Sequence, residues 1–121
     1  PLPPLLFPSR WPNEADANEV YEGFNSIFAQ LPLAAVISKK ILCMHGGLSP
    51  RLTSLQDIRG LHRPIVQPKD LAQDILWADP EGGICGFKPN ELRACSFNFG
   101  QQDVEAKLKE LKVKMVIRAH Q

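Results

Sequence analysis

Apolar residues recur along this chain in two rhythms, one helical and one strand-like. Val20, Phe24, Ile27 and Phe28 fall three and four apart, which predicts an amphipathic helix over Glu19–Gln30, capped by Asn18 and stopped by Pro32. Leu33–Ser38 and Ile41–Met44 are apolar runs of strand length separated by Lys39-Lys40, the pattern of a tight hairpin. Short helices are expected over Ser54–Leu61, with Thr53 or Ser54 as cap, and over Lys69–Leu76, with Pro64 and Pro68 marking the loop between them. Glu81–Asn90 is glycine-rich and reads as irregular. Arg93–Phe99 alternates around Cys95, Phe97 and Phe99 and reads as a strand or extended segment. A helix over Gln101–Lys112 should turn Val104, Leu108 and Leu111 inward and its Lys and Glu residues outward, and Val113–Ile117 follows as the last strand. Strand, helix and strand alternate, so the class is α/β.

Composition narrows the setting. A chain of 121 residues with 44% apolar content can bury one core. A net charge of +1 exerts no general pull on nucleic acid or anionic membrane. No apolar run approaches the ~20 residues of a membrane helix, and no charged segment followed by an apolar stretch opens the chain. Cys43, Cys85 and Cys95 are odd in number and lack CxxC spacing, which fits reduced thiols in the cytoplasm or nucleus. Pro1, Pro3, Pro4, Pro8 and Pro12 make residues 1–18 an expected irregular tail, leaving 19–121 as the folded portion. Both ends read as cut, since the chain opens on Pro1 and stops at Gln121 directly after an expected core strand.

His45 and His120 each follow an apolar run and open a loop, the position from which α/β folds present functional side chains. Two imidazoles suit Zn, Mn or Fe. They make half a shell, because a catalytic zinc takes three protein ligands and a two-metal site needs bridging carboxylates. The plainer reading of each is a hydrogen-bonded structural histidine. Gly46-Gly47 tilts the balance at His45, since paired glycines let the backbone pass close to a ligand or another segment. His62 has no such setting and should be exposed. A His-Gly-Gly loop also serves as an oxyanion hole in lipases, but that chemistry needs Gly-x-Ser-x-Gly, and Ser49 lies in Gly47-Leu48-Ser49-Pro50-Arg51. No P-loop, dinucleotide fingerprint or HExxH occurs.

Four segments appear in order: Leu42-Cys43-Met44-His45-Gly46-Gly47-Leu48-Ser49-Pro50, Leu76-Trp77-Ala78-Asp79-Pro80, Arg93-Ala94-Cys95-Ser96-Phe97-Asn98-Phe99-Gly100 and Ile117-Arg118-Ala119-His120-Gln121. Together they resemble the phosphoprotein phosphatase family of serine/threonine phosphatases, and most closely its type 1 branch, over residues 19–121. The resemblance implies part of a calcineurin-like αββα sandwich, a mixed sheet with flanking helices. It implies phosphomonoester hydrolysis by a metal-bound hydroxide at two divalent metal ions, Mn or Fe/Zn. His45 and His120 match two ligands of one metal, and Arg93 an arginine whose planar fork grips the substrate phosphate. Asp79, Gly46 and Gly47 would shape the site, with Asp79 holding loop geometry by hydrogen bonds and Arg118 acting as a structural partner. Ile41 and Met115 match a groove for short regulator motifs, where Ser38 and Lys114 replace acidic residues.

The same resemblance marks what these residues do not contain. Segments of the types GDxHG, GDxVDRG and GNHE, which carry the remaining metal ligands and the general acid, are absent, so no catalytic residue is assigned here. The implied reading is a phosphatase fragment inactive alone. The alternative is a truncated, non-catalytic relative that binds regulators or phosphoproteins. Implied partners are phosphoserine and phosphothreonine proteins and regulatory subunits, with neither nucleic acid nor membrane, in the cytoplasm or nucleus.

Overall fold

The computed structural model describes residues 13–120. The chain divides into two compact units, residues 1–31 with 63–66 and residues 32–62 with 67–121. In the first, helix α1 spans Glu14–Phe28. Asn13 caps it, its side-chain oxygen accepting the Ala15 N–H at 2.9 Å. The helix thus starts five residues before the predicted Glu19, because Asn13 takes the capping role expected of Asn18. Part of the predicted irregular tail is therefore helical, and residues 1–12 of it lie outside the described residues. Phe24, Ile27 and Phe28, expected to face inward, are exposed. After the helix, the Ala29 carbonyl accepts the Ile65 N–H at 2.8 Å and the Gln30 carbonyl accepts Arg63 Nη1 at 2.9 Å.

The second unit carries strands β1 (Ala34–Ile37) and β2 (Ile41–Met44), helices α2 (Leu55–Arg59) and α3 (Asp70–Trp77), and strands β3 (Asp79–Pro80), β4 (Lys88–Pro89) and β5 (Phe97–Phe99). Helix α4 (Gln101–Glu110) and strand β6 (Met115–Arg118) complete it. One sheet has the order β1-β2-β6, with β2 antiparallel to β1 and parallel to β6. The other has the order β3-β5-β4, with β5 parallel to β3 and antiparallel to β4. Both are mixed sheets, as the family resemblance implies.

The hairpin turn sits one residue earlier than predicted. Ser38 and Lys39 both take positive φ, 51° and 57°, and the Lys40 N–H closes the turn on the Ile37 carbonyl at 2.9 Å. Two left-handed residues give the backbone twist that matches paired strands. Side chains then alternate across β2: Leu42 and Met44 are buried, while Ile41 and Cys43 are only partly covered. Leu42 and Met44 meet Leu48 and Leu52 from the next loop, Leu71 and Ile75 from α3, Phe99 from β5, and Leu111 and Val113 after α4.

Three further expectations are corrected. Of the segment 93–99, only Phe97–Phe99 pairs as strand. Arg93 lies in a turn, because Ala94 and Ser96 adopt φ of 54° and 65°, which no extended segment allows. Lys107, expected to face outward on α4, is buried, and its ammonium donates to the Leu52 carbonyl at 2.7 Å and to Glu110 at 2.8 Å. The last strand begins at Met115, and Val113 packs in the core instead.

Helix α2 is short and depends on its N-terminal hydrogen bonds. The Asp57 carboxylate accepts the Ser54 and Thr53 N–H groups at 2.7 and 2.8 Å, and both hydroxyls donate to it as well. Those two N–H donors, then the hydroxyls, hold its carboxyl at about 2. A depressed carboxylate contributes stability fully above its unfolded value of 3.8, and that contribution is lost as pH falls through about 2. Asp57→Asn should flatten the acid limb of a plot of urea midpoint against pH in this window. A slope equal to that of the unsubstituted chain would exclude Asp57 as its source.

Candidate functional site

The carboxyl ends of β2 and β6 lie side by side because the two strands are parallel neighbours. His45 follows β2 and His120 follows β6 by two residues. The Ala119 N–H donates to the His45 carbonyl at 3.1 Å, so the two loops leave the sheet together. The imidazole rings meet edge to face with centroids 4.9 Å apart. Trp77, the last residue of α3, stands against His120 at 5.4 Å and 90°. His62 is exposed and lies apart from this cluster in the sequence loop after α2.

Gly46 and Gly47 carry the loop across buried ground. The Gly46 N–H donates to the Ile75 carbonyl at 2.7 Å, and a side chain at Gly46 would collide with the Leu76–Trp77 peptide. A side chain at Gly47 would collide with the Phe99 ring and approach the Ala78 carbonyl to 3.0 Å. The pair lets the loop lie directly on the end of α3 and on β5.

Asp79 connects these parts. It is buried, and its Oδ2 accepts Arg93 Nε at 3.0 Å and Asn90 Nδ2 at 3.1 Å. Its Oδ1 accepts Arg118 Nη2 at 2.8 Å and lies 2.9 Å from His120 Nδ1. Burial alone would raise this carboxyl, but the hydrogen bonds from Arg93, His120 and Asn90 outweigh it and hold the group at about 2. Arg118 also donates through Nε to the Gly46 carbonyl at 2.5 Å and through Nη2 to the Ala78 carbonyl at 3.4 Å. One carboxylate and one guanidinium thus tie both histidine loops, the end of α3 and the Arg93 turn together. Partial burial, with the positive neighbours His120 and Arg118, lowers the pKa of His45 against a smaller opposing pull from Asp79. The shift favours the neutral imidazole over the charged one.

A second buried network was not anticipated from the sequence. Asp74, 1% exposed, accepts Ser49 Oγ at 2.6 Å and Arg51 Nη1 at 2.7 Å. Arg51 also lies over the Phe97 ring at 5.4 Å. The available signal was a carboxylate on the apolar face of α3, where Leu71, Ala72 and Ile75 are its buried neighbours. Ile41 and Met115 are cross-strand partners on the opposite side of the sheet from Leu42.

The donor set fits a metal only in part. Among the described residues no group of three or more His, Cys, Asp or Glu converges as a ligand shell. His45 and His120 present two neighbouring imidazoles. With Nδ1 of His120 against Asp79, Nε2 is the ring nitrogen that could hold a metal, in the manner of a carboxylate–histidine pair.

The sequence profile of the calcineurin-like phosphoesterases matches residues 6–121. The chain belongs to the calcineurin-like phosphoesterase family. It is 44% identical over 100 residues to a putative serine/threonine-protein phosphatase of Caenorhabditis elegans, covering 81% of this chain and 27% of that protein. It is 39% identical over 105 residues to a serine/threonine-protein phosphatase of the same organism, covering 86% and 23%. A Saccharomyces cerevisiae serine/threonine phosphatase described as similar to human phosphatase PP5 superposes with a TM-score of 0.76 at 31% identity, covering 87% of this chain and 33% of that one. These relatives support the phosphoprotein phosphatase branch of the family. The chain spans about a quarter of the length of the curated relatives it matches.

Replacing Asp79 by Asn removes one buried negative charge from two arginines and a histidine. Such a loss costs about 3–5 kcal/mol when a buried pair is broken from one side. Urea unfolding of Asp79→Asn should register a loss in that range. A loss below about 1 kcal/mol, the scale of an exposed pair, would show that Asp79 does not organise the site.

Proposed function

We propose that this chain supplies part of the catalytic domain of a metal-dependent protein serine/threonine phosphatase of the type 1 kind. The observation that carries the reading is the Asp79 carboxylate, which holds the Arg93 guanidinium and the His120 imidazole at once. A guanidinium and an imidazole fixed to one anion would be preorganised, one for a phosphate and the other for a metal ion, before substrate arrives. The phosphatase-named relatives support the same reading.

In this proposal His45 and His120 hold one ion of a divalent pair, Mn or Fe/Zn, His120 through Nε2. Divalent metals are general in the family, and when bound they supply Lewis acidity and a water of lowered pKa. Arg93 grips the substrate phosphate. With Nε donating to Asp79, its plane is set before substrate arrives, so little ordering entropy is lost on binding. Gly46 and Gly47 set the path of the His45 loop. Arg118 links the Gly46 carbonyl to Asp79 and acts through position, not through the phosphate. Two imidazoles leave the shell open, and the 121-residue chain should bind metal weakly and not turn over alone.

Phosphoserine and phosphothreonine proteins are the proposed substrates, and regulatory subunits with short docking motifs the proposed partners. A cytoplasmic or nuclear site is proposed from the three free thiols. No helix among the described residues is long and apolar enough to cross a membrane.

The 121-residue chain with added Mn should release no phosphate from p-nitrophenyl phosphate; turnover that His120→Ala abolishes would overturn the inactivity. In a phosphatase that joins these residues to the remaining metal-binding motifs, Arg93→Ala should lower kcat/KM by about 100-fold. An unchanged kcat/KM would remove Arg93 from the site.

A further inference from the structure

Asn90 is buried, 3% exposed, and its N–H and both side-chain polar atoms are engaged. It directly follows β4, and its N–H donates at 3.1 Å to the carbonyl of Ser96, the residue before β5. Its Oδ1 accepts the Arg93 N–H at 3.1 Å, and its Nδ2 donates to Asp79 Oδ2 at 3.1 Å. A backbone N–H only donates and a carboxylate only accepts, so these partners fix which way the amide points. The same Asp79 oxygen accepts Arg93 Nε at 3.0 Å. Asn90, Arg93 and Asp79 therefore close a ring. One amide holds the backbone of Arg93 and also the carboxylate oxygen that holds its side chain. The turn from β4 to β5 has little else to hold it. Ala94 and Ser96 take left-handed backbone, with φ of 54° and 65°, a region disfavoured for residues that carry a Cβ. Glu91, Leu92 and Ala94 are exposed, so packing contributes little there. Asn90 secures the turn at its far end through Ser96 and at its middle through Arg93.

We propose that Asn90 is a positioning residue for phosphate binding, acting through Arg93. Its own side chain does not meet the substrate, because it is buried and committed to Arg93 and Asp79. It fixes where the Arg93 backbone sits and keeps Asp79 Oδ2 turned toward the guanidinium, so both ends of that side chain are set before a phosphate arrives. Asp79 alone fixes only the guanidinium end. The inference deepens the proposed function and rests on its reading of Arg93 as the phosphate-binding group. The competing account is a purely structural Asn90 that joins β4 to β5. Its loss would then weaken the fold, and any activity with it, whether or not Arg93 is present.

A double-mutant cycle separates the two accounts, in a phosphatase that joins these residues to the remaining metal-binding motifs. Asn90→Ala should lower kcat/KM by about tenfold beside Arg93, and by less than about twofold in the Arg93→Ala background. Asn90→Ser, whose hydroxyl can still accept the Arg93 N–H but is too short to reach Asp79, should show the same dependence on Arg93 with a smaller loss. Equal losses in both backgrounds, or no loss beside Arg93, would overturn the proposal and leave the phosphatase reading standing. An unchanged kcat/KM in Arg93→Ala alone would remove the reading of Arg93, and the proposal with it. A second readout needs no catalysis. In nitrogen-15 spectra of the 121-residue chain, the Arg93 Nε–H should exchange with solvent about tenfold faster in both Asn90 variants. The Arg118 Nε–H, bonded to the Gly46 carbonyl, should keep its rate. Exchange at Arg93 indifferent to Asn90, or accelerated equally at Arg93 and Arg118, would overturn the proposal.

Discussion

The Asp79 carboxylate has two oxygens, and neither serves a single partner. One is shared by Arg93 and Asn90, the other by Arg118 and His120. A buried anion needs such company, since its desolvation is offset only by good geometry and several donors. The arrangement therefore runs both ways. The donors make the buried charge tolerable, and the charge fixes donors that come from β6, from the loop after it and from the turn before β5. Remove it and the phosphate-binding and metal-binding candidates lose their common reference point.

Close backbone packing supplies the rest of the order. The loop after His45 lies on α3 with no room for a side chain at Gly46 or Gly47. Two residues later Ser49 and Arg51 anchor the same loop to Asp74. Lys107 reaches across from α4 to the Leu52 carbonyl and holds the loop's far end. The stretch from His45 to Leu52 is thus held by close packing at Gly46 and Gly47 and by polar contacts at Ser49, Arg51 and Leu52. This is how a loop in a small unit can carry a side chain in a defined place without regular structure of its own.

Local pattern made part of this legible. The β2 and β6 runs and the α4 periodicity were readable because burial imposes periods of two and 3.6 on apolar residues. The histidine positions followed from those strands, and the four ordered motifs indicated the family. Boundaries and turns were less readable. Asn13 and Asn18 are equal candidates for a cap, and a Ser38-Lys39 turn lacks the glycine or asparagine that would mark it. The strand assignment at Arg93 failed because alternation around Cys95 and Phe97 cannot show that Ala94 and Ser96 take left-handed backbone. Asp74, Asn90 and the inward turn of Lys107 depend on contacts between residues distant in sequence, which no window of local pattern contains. The exposed phenylalanines of α1 illustrate the converse: periodicity shows that a face is apolar, not that it is covered.

The chain belongs to the calcineurin-like phosphoesterases, and the proposed function turns on His45 and His120 acting together on one metal. Nitrogen-15 chemical shifts of the histidine side chains during titration of the 121-residue chain with Zn test it most directly. The account predicts that His45 and the Nε2 of His120 respond over the same range of Zn concentration, that His120 Nδ1 keeps its bond to Asp79, and that His62 is unaffected. Independent responses of the two, or binding at His62 with neither of them involved, would contradict it.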